Sequence, residues 1–280
     1  MSQYLIDVPD WETTTLYSIN EVLETLGRLE QDIWITRGQS CCWGKLYPKI
    51  DRKPFYAIKD REKKLALEAK SIHLIQSIGM PVASPDERIE LKHDMNTLMV
   101  LQHYGVPTRL LDWSRSPYRA TFFSVYENPN SDCELWGFSY NKYIERGDEH
   151  WKEYPEDPNH TTIEVRYAMA FDKKVPEPDF FICVFDYLSH HRIEAQKGLF
   201  SMTARFGVDH SKAISRLFDR ENKWYHRYII KSVLKRELQE LLKHDYSIEL
   251  ASLFPDMAGA TEAVKAYQLK NLESIKSSKN

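Results

Sequence analysis

The stretch from Gln102 to Ser114, QHYGVPTRLLDWS, restricts the fold of this chain more than any other. It follows a helical face made by Leu91, Met95, Leu98 and Met99, whose spacing keeps them on one side. Gly105 closes that helix because it reaches the left-handed backbone without a Cβ clash, and Pro107 forbids its continuation. The extended piece beyond carries Thr108, Arg109, Asp112, Trp113 and Ser114 into Ser116-Pro117, a cap-plus-proline signal for the next helix. Polar groups set between two apolar elements are costly to bury unless they pair, so these side chains must meet one another or a ligand. In one arrangement Arg109 pairs with Asp112 while Trp113 wedges the loop; in the other, part of the set faces a pocket.

Other local signals place the remaining elements. Ser18-Ile19-Asn20-Glu21 and Ser84-Pro85-Asp86-Glu87 are capping boxes, in which hydroxyl and carboxylate satisfy each other's free backbone N–H groups. They predict helices from Ser18 to about Arg28 and from Ser84 to Gly105. Helices are also expected from about Asp60 to Ile78, from Tyr118 to Tyr126, and over Leu234–Leu242, Ser247–Phe254 and Ala258–Leu269. Strands are expected at Asp32–Arg37, Cys133–Tyr140, Phe180–Phe185 and Trp224–Ile230, where β-branched and aromatic residues cluster or alternate. Glu145–His160, acidic and proline-containing, reads as a surface excursion. Helices and strands mix without a regular βαβ alternation, so the class predicted is α+β: a small, split, mixed or antiparallel sheet flanked by helices. One domain is expected over residues 1–280, with its core at about 32–260 and a C-terminal helix and tail at 261–280.

Composition narrows the function classes. Hydrophobic residues make up 42% and aromatic residues 12% of the 280, enough apolar surface to offset chain entropy. Lys+Arg 38 against Asp+Glu 41 leaves a net charge of -3, which removes the bulk electrostatic case for nucleic acid. No window approaches the roughly 20 apolar residues that cross a bilayer, and the N-terminal MSQYLIDVPDWETTT is acidic rather than basic-then-apolar. Neither a membrane segment nor an export signal is expected. Cys41, Cys42, Cys133 and Cys183 form no C-x-x-C pair and sit beside apolar residues, which fits reduced thiols in a cytoplasm and argues against zinc.

The sequence holds no G-x-x-x-x-G-K-[ST], G-x-G-x-x-G, G-x-S-x-G or H-E-x-x-H. P-loop ATPases, Rossmann dehydrogenases, α/β-hydrolases and zincins lose their main support. His93-Asp94 and His244-Asp245 lack the companion histidines of a phosphohydrolase centre, and no metal is expected. Trp34-Ile35-Thr36-Arg37-Gly38-Gln39-Ser40 sets Arg37 at the end of an apolar strand, beside a glycine that lets a ligand approach the backbone. An arginine there either holds a phosphate or carboxylate bidentately or neutralises an internal carboxylate. His190 and His191 are acid or base candidates, with a partly exposed polar pair as the plainer reading. Lys223-Trp224-Tyr225-His226-Arg227-Tyr228, with Lys231 and Lys235, could stack on and neutralise single-stranded nucleic acid. Core packing of the same alternating strand competes with that reading.

RGQS with Trp43 and Pro48 downstream, QHYGVPTRLLDWS with Ala120 after it, Arg192-Ile193-Glu194-Ala195-Gln196-Lys197-Gly198-Leu199-Phe200, and LFPDMAGA near the C-terminus together resemble the FRG-domain family, over about Asp32 to Ala260. Thr36 stands where that family's name-giving Phe usually lies. The resemblance implies a protein that recurs in bacterial and phage genomes, with a part in phage conflict and little assigned chemistry. The order of motifs is further similar to that of ADP-ribosyltransferases, which split an NAD site over three strands. That analogy implies that Arg37 holds the dinucleotide, that Ser114 and the following Ala120-Thr121-Phe122-Phe123 form the second element, and that Gln196 or Glu194 addresses the nicotinamide ribose.

Arg37, Ser114, Glu194 and Gln196 are thereby the candidate catalytic residues. Gly38, Gln39, Gln102 and His103, with Thr108, Arg109 and Asp112, are candidates for substrate contact, and Trp113 or Phe200 for stacking on a ring. Cleavage of the nicotinamide bond passes through an oxocarbenium-like state that a carboxylate stabilises and a glutamine cannot, so the placement of Glu194 decides that chemistry. The leading expectation is an enzyme that handles NAD or a related nucleotide, as ADP-ribosyltransferase or NAD glycohydrolase. The competing ones are a nucleolytic or non-catalytic module that recognises nucleic acid or protein, and a polar core with no ligand at all.

Overall fold

The computed structural model describes residues 11–152, 171, 181–184, 191–203, 205–255, 261, 264 and 268. Its centre is a seven-stranded sheet made from β1 (Thr13–Leu16), β2 (Trp34–Gln39), β3 (Leu111–Ser114), β4 (Cys133–Ser139), β5 (Phe181–Val184), β6 (Gly198–Thr203) and β7 (Tyr225–Ile230). The strands lie in the order β1-β7-β4-β2-β3-β6-β5. Only β1 and β7 are parallel, and the other neighbours are antiparallel. The class is therefore α+β with a mixed sheet, larger than the small sheet expected because β1, β6 and β3, the last read only as an extended piece, add to the four strands legible in the sequence.

The helices are α1 (Ile19–Gln31), α2 (Arg61–Gly79), α3 (Pro85–Glu90), α4 (Asp94–His103), α5 (Pro117–Val125), α6 (Tyr140–Lys152), α7 (His191–Gln196), α8 (His210–Leu217), α9 (Lys235–Tyr246) and α10 (Leu250–Leu253). Both predicted capping boxes are formed, at Ser18 and at Ser84. The single helix expected from Ser84 to Gly105 is two, because backbone bonds at Leu91–His93 close α3 before α4 opens. Residues 140–152, read in part as a surface excursion, form α6 with Tyr143 buried against Phe138. The rest of that excursion, His190 and most of the expected C-terminal helix lie outside the described residues.

Strand alternation sorts the core into two faces. On one, Leu135 of β4 and Tyr228 and Ile230 of β7 meet Leu26 and Leu29 of α1, Phe122 and Val125 of α5, and Leu238 and Leu242 of α9. On the other, Ile35, Trp113, Trp136, Phe138 and Tyr225 pack with Trp11 and with Ile214 of α8. A third cluster sets Ile72 of α2 and Leu98 and Met99 of α4 against Leu110, Phe200 and Met202. Each fully buried aliphatic side chain contributes roughly 1.5–3 kcal/mol, so these clusters carry the fold.

The sheet is not continuous. β2 and β4 pair along six positions, whereas β2 and β3 share one, Thr36 with Ser114. The Thr36 hydroxyl donates to the Ser114 carbonyl at 3.2 Å, which reinforces that single rung. Beyond it the strands part, and the gap opens toward the C-terminal end of β2 and the start of β3.

Candidate functional site

Backbone bonds between and within segments bring the chain to this gap. Gly105, at φ +80, ends α4 in a double bond pattern: Gly105 N–H donates to Gln102 O at 3.0 Å and Val106 N–H to Leu101 O at 2.9 Å. That turn aims Gln102 and His103 at the cavity. Ile50 N–H donates to Thr108 O at 3.2 Å, which docks the turn carrying Lys49 and Arg52 on the same wall. On the far side, Arg115 N–H donates to Lys197 O at 2.9 Å and fixes the end of α7 beside β3.

The result is a cavity of about 510 Å³ between β2, β3, α5 and α7, within the roughly 300–1,000 Å³ usual for small-molecule sites. Arg37, Gly38 and Gln39 of β2 line it, as do Asp112, Trp113 and Ser114 of β3. Gln102, His103, Gln196 and Phe200 complete the sequence candidates that reach its walls. Three candidates do not line it: Thr108, Arg109 and Glu194.

Arg109 is 2% exposed and pairs with Glu68 of α2, Nε to Oε2 at 2.9 Å with Nη2 on the other oxygen, and its guanidinium lies 4.3 Å from the Phe206 ring centroid. The expected Arg109–Asp112 pair is therefore replaced: β3 alternation turns Asp112 toward the gap, while Arg109, before the strand, points under α2. Glu194 is exposed, because the face of α7 that meets the cavity is set by Arg192, Ile193 and Gln196 at helical spacing. Thr108 acts one step removed, donating its hydroxyl to Gln102 Oε1 at 2.6 Å.

Several lining side chains are spent on the frame. Ser114 Oγ donates to Gln196 O at 2.7 Å and accepts from Ser116 N–H at 3.0 Å, and Gln196 Nε2 donates to Leu253 O at 3.1 Å. Gln39 Nε2 donates to the buried Glu134 carboxylate at 2.7 Å, which Arg227 also holds. Burial pushes the Glu134 carboxyl up and Arg227 pulls it back down. Trp113 is 3% exposed, edge-on to Phe138 at 5.0 Å, and Phe200 is packed against α4, so neither offers a free ring face. Gly38 lines the cavity and also has a packing role: a Cβ there would lie 2.0 Å from Ala120 O, so the missing side chain lets α5 sit directly on β2.

Arg37 is the exception. Its Nη1 donates to Asp112 O across the gap at 2.6 Å and lies 3.7 Å from Asp112 Oδ2, while its buried Nε has no hydrogen-bond partner. Burial pulls the guanidinium down to about 10, Asp112 raises it, and neighbouring Arg52 lowers it further. Two guanidiniums facing one carboxylate in a partly dry cavity leave an unanswered positive charge. Lys49 and Arg192 add to it, and Arg192 donates to His103 O at 3.0 Å with its guanidinium 4.7 Å from the Phe254 ring centroid. Trp43, 51% exposed, with the half-buried Phe123 and Phe254, supplies the aromatic surface. The sequence reading missed Lys49, Arg52 and Arg192; Arg192 stood in a quoted motif, but only the helical register of α7 shows that it, and not Glu194, faces inward.

Under the cavity floor, Trp113 Nε1 donates to Ser201 Oγ at 2.7 Å, and that oxygen lies 2.8 Å from His210 Nδ1. Burial, with the Arg37 charge acting the same way, pulls the His210 imidazole from 6.5 down to about 3. The unfolded chain takes up this proton near 6.5 and the folded one only near 3, so stability is full above 6.5 and falls as pH drops toward 3. We expect unfolding free energies, read from denaturant titrations from neutral pH to about pH 5, to fall by up to about 1.4 kcal/mol per pH unit through this group. His210→Asn should flatten that slope, and an unchanged slope in the variant would refute the assignment.

The chain is an α+β protein with a cation-lined cavity at a split in a mixed sheet. Residues 32–133 match the family model of the FRG domain. The match runs from β2 through α5 to the first residue of β4, the part that supplies Arg37, Gln102 and Asp112, and stops short of Arg192–Phe200 and LFPDMAGA. No curated protein and no solved structure matches the chain.

Proposed function

We propose that the β2–β3 cavity binds a phosphorylated nucleotide, with NAD as the candidate, and that the protein breaks or transfers at its nicotinamide glycosidic bond, as an NAD glycohydrolase or ADP-ribosyltransferase. The observation that carries this reading is Arg37, a half-buried side chain whose buried Nε has no hydrogen-bond partner, facing a cavity that also holds Arg52, Lys49 and Arg192. Such a set answers a diphosphate, and the rings of Trp43, Phe123 and Phe254 answer a base or a pyridine ring. The setting, bacterial or phage conflict, is taken from the FRG resemblance alone.

The competing nucleic-acid reading of Lys223–Lys235 has less to stand on. Lys235 is 1% exposed and donates to the carbonyls of Ser40, Glu127 and Asn128, each at 2.9 Å. Arg227 is held by Glu134 and Lys231 by Asp132, so that stretch presents no free basic stripe.

Purified protein incubated with NAD should release nicotinamide. Arg37→Ala should weaken ADP-ribose binding, read by calorimetry, through the loss of a charge-assisted contact of about 1.5–3 kcal/mol, roughly ten- to hundredfold in Kd. Unchanged affinity in Arg37→Ala would sink the reading.

A further inference from the structure

With Glu194 turned outward, the carboxylates on the cavity wall are Asp112 and Glu127. Asp112 is the one that the frame aims. Gln102 Nε2 lies 3.1 and 3.0 Å from its two oxygens, and Gln102 Oε1 accepts the Thr108 hydroxyl at 2.6 Å. Thr108 Oγ1 in turn accepts Leu110 N–H at 3.1 Å, so every donor and acceptor in the relay is assigned and the amide has one orientation. Yet the carboxylate is not a buried strut: its side chain is 54% exposed.

A fixed, accessible carboxylate is misplaced in a cavity that only binds anions. It lies 3.7 Å from Arg37 and close enough to Arg52 to raise that group's affinity for its proton. There it cancels charge that a phosphate would otherwise meet, and so weakens binding. Its negative charge is useful where positive charge develops during reaction.

We propose that Asp112 is the catalytic carboxylate of this cavity, stabilising the ribosyl carbon as it becomes oxocarbenium-like, with Gln102 and Thr108 as its positioning residues. The inference rests on the NAD reading above. In the step, the bond between ribose C1′ and the pyridinium nitrogen breaks and its electron pair leaves with nicotinamide, which becomes neutral. The ring oxygen and C1′ share the positive charge opposite Asp112. An oxygen of water or of an acceptor hydroxyl then bonds to C1′, and its proton passes to Asp112 and on to solvent. No oxidant or reductant enters.

Asp112→Asn keeps the shape and an acceptor for Gln102 but removes the charge. Nicotinamide release should fall at least about a hundredfold, a loss of the size that follows removal of one charge-stabilising group. ADP-ribose should bind as tightly or more tightly, because the cations lose a competing anion, and the melting temperature should hold. Gln102→Leu should lower kcat, and adding it to Asp112→Asn should cost little more, since both act through one group. Glu194→Gln should leave turnover unchanged. Wild-type turnover retained in Asp112→Asn overturns the proposal. So does a parallel loss of ADP-ribose binding, which would make Asp112 a structural prop. A wild type that binds ADP-ribose yet releases no nicotinamide ends the glycosidic chemistry and the role of Asp112 with it, while the nucleotide site stands.

Discussion

Arg109→Ala is expected to destabilise the protein by roughly 3–5 kcal/mol, the cost of leaving a buried charge without its partner. Glu68 of α2 is 3% exposed and would be left buried with its two-pronged partner gone. The cation over the Phe206 ring would be lost as well. Against a total of roughly 5–15 kcal/mol for a folded domain, this is a large share, and melting should fall by about 10 °C or more. The remedy distinguishes the mechanism: Arg109→Met with Glu68→Leu, two apolar side chains of similar volume, should recover most of the loss. Denaturant unfolding of the two single variants and the pair checks this. If Arg109→Ala melts with the wild type, or the pair is as weak as the singles together, the buried pair is not what holds α2 to the segment that enters β3.

Gly38→Ala should cost about 3 kcal/mol, the upper end of overpacking, and should abolish measurable ADP-ribose binding at the same time. The new methyl would lie 2.0 Å from Ala120 O and 2.4 Å from Ser124 Oγ, and a backbone carbonyl in a helix has no rotamer to escape into. α5 must move off β2, and with it Ala120, Phe123 and Glu127 on the cavity wall. Trimming Ser124 to Ala should not rescue the variant, because the closer clash remains. A Gly38→Ala protein that unfolds at the wild-type denaturant midpoint and binds ADP-ribose normally would show that α5 is free to shift.

Local chemistry made the elements legible, and register made the site partly illegible. Ser18, Ser84 and Asp60 announce helices because a cap is satisfied within a few residues of itself, and Ser116-Pro117 announces one through the proline at the first helical position, with no side-chain cap bond. Gly105 likewise places Gln102, since the turn that ends α4 is a local bond pattern. The strand β1 was not legible: Thr13–Leu16 is a strand because it adds to β7, some two hundred positions away, and nothing nearby says so. The partner of Arg109 was misread for the same reason, with Asp112 three positions off in sequence and Glu68 across a helix packing. Arg37, Gln102, Asp112 and Gln196 do share one cavity, but Ser114 and Gln196 turn out to brace the frame that the motif had assigned to chemistry. Lys49 and Arg52 escaped notice because the turn that carries them docks through Thr108, a contact between segments with no pattern in common.

Thr36 and Ser114 are the one paired rung between two panels of strands, β1-β7-β4-β2 and β3-β6-β5, and the Arg37 guanidinium on Asp112 is a side-chain tie beside it. Arg37 belongs to the first panel and Asp112 to the second. A guest that touches both therefore adds a further tie, and its grip couples the panels mechanically, so that filling the gap stiffens the whole sheet rather than one loop.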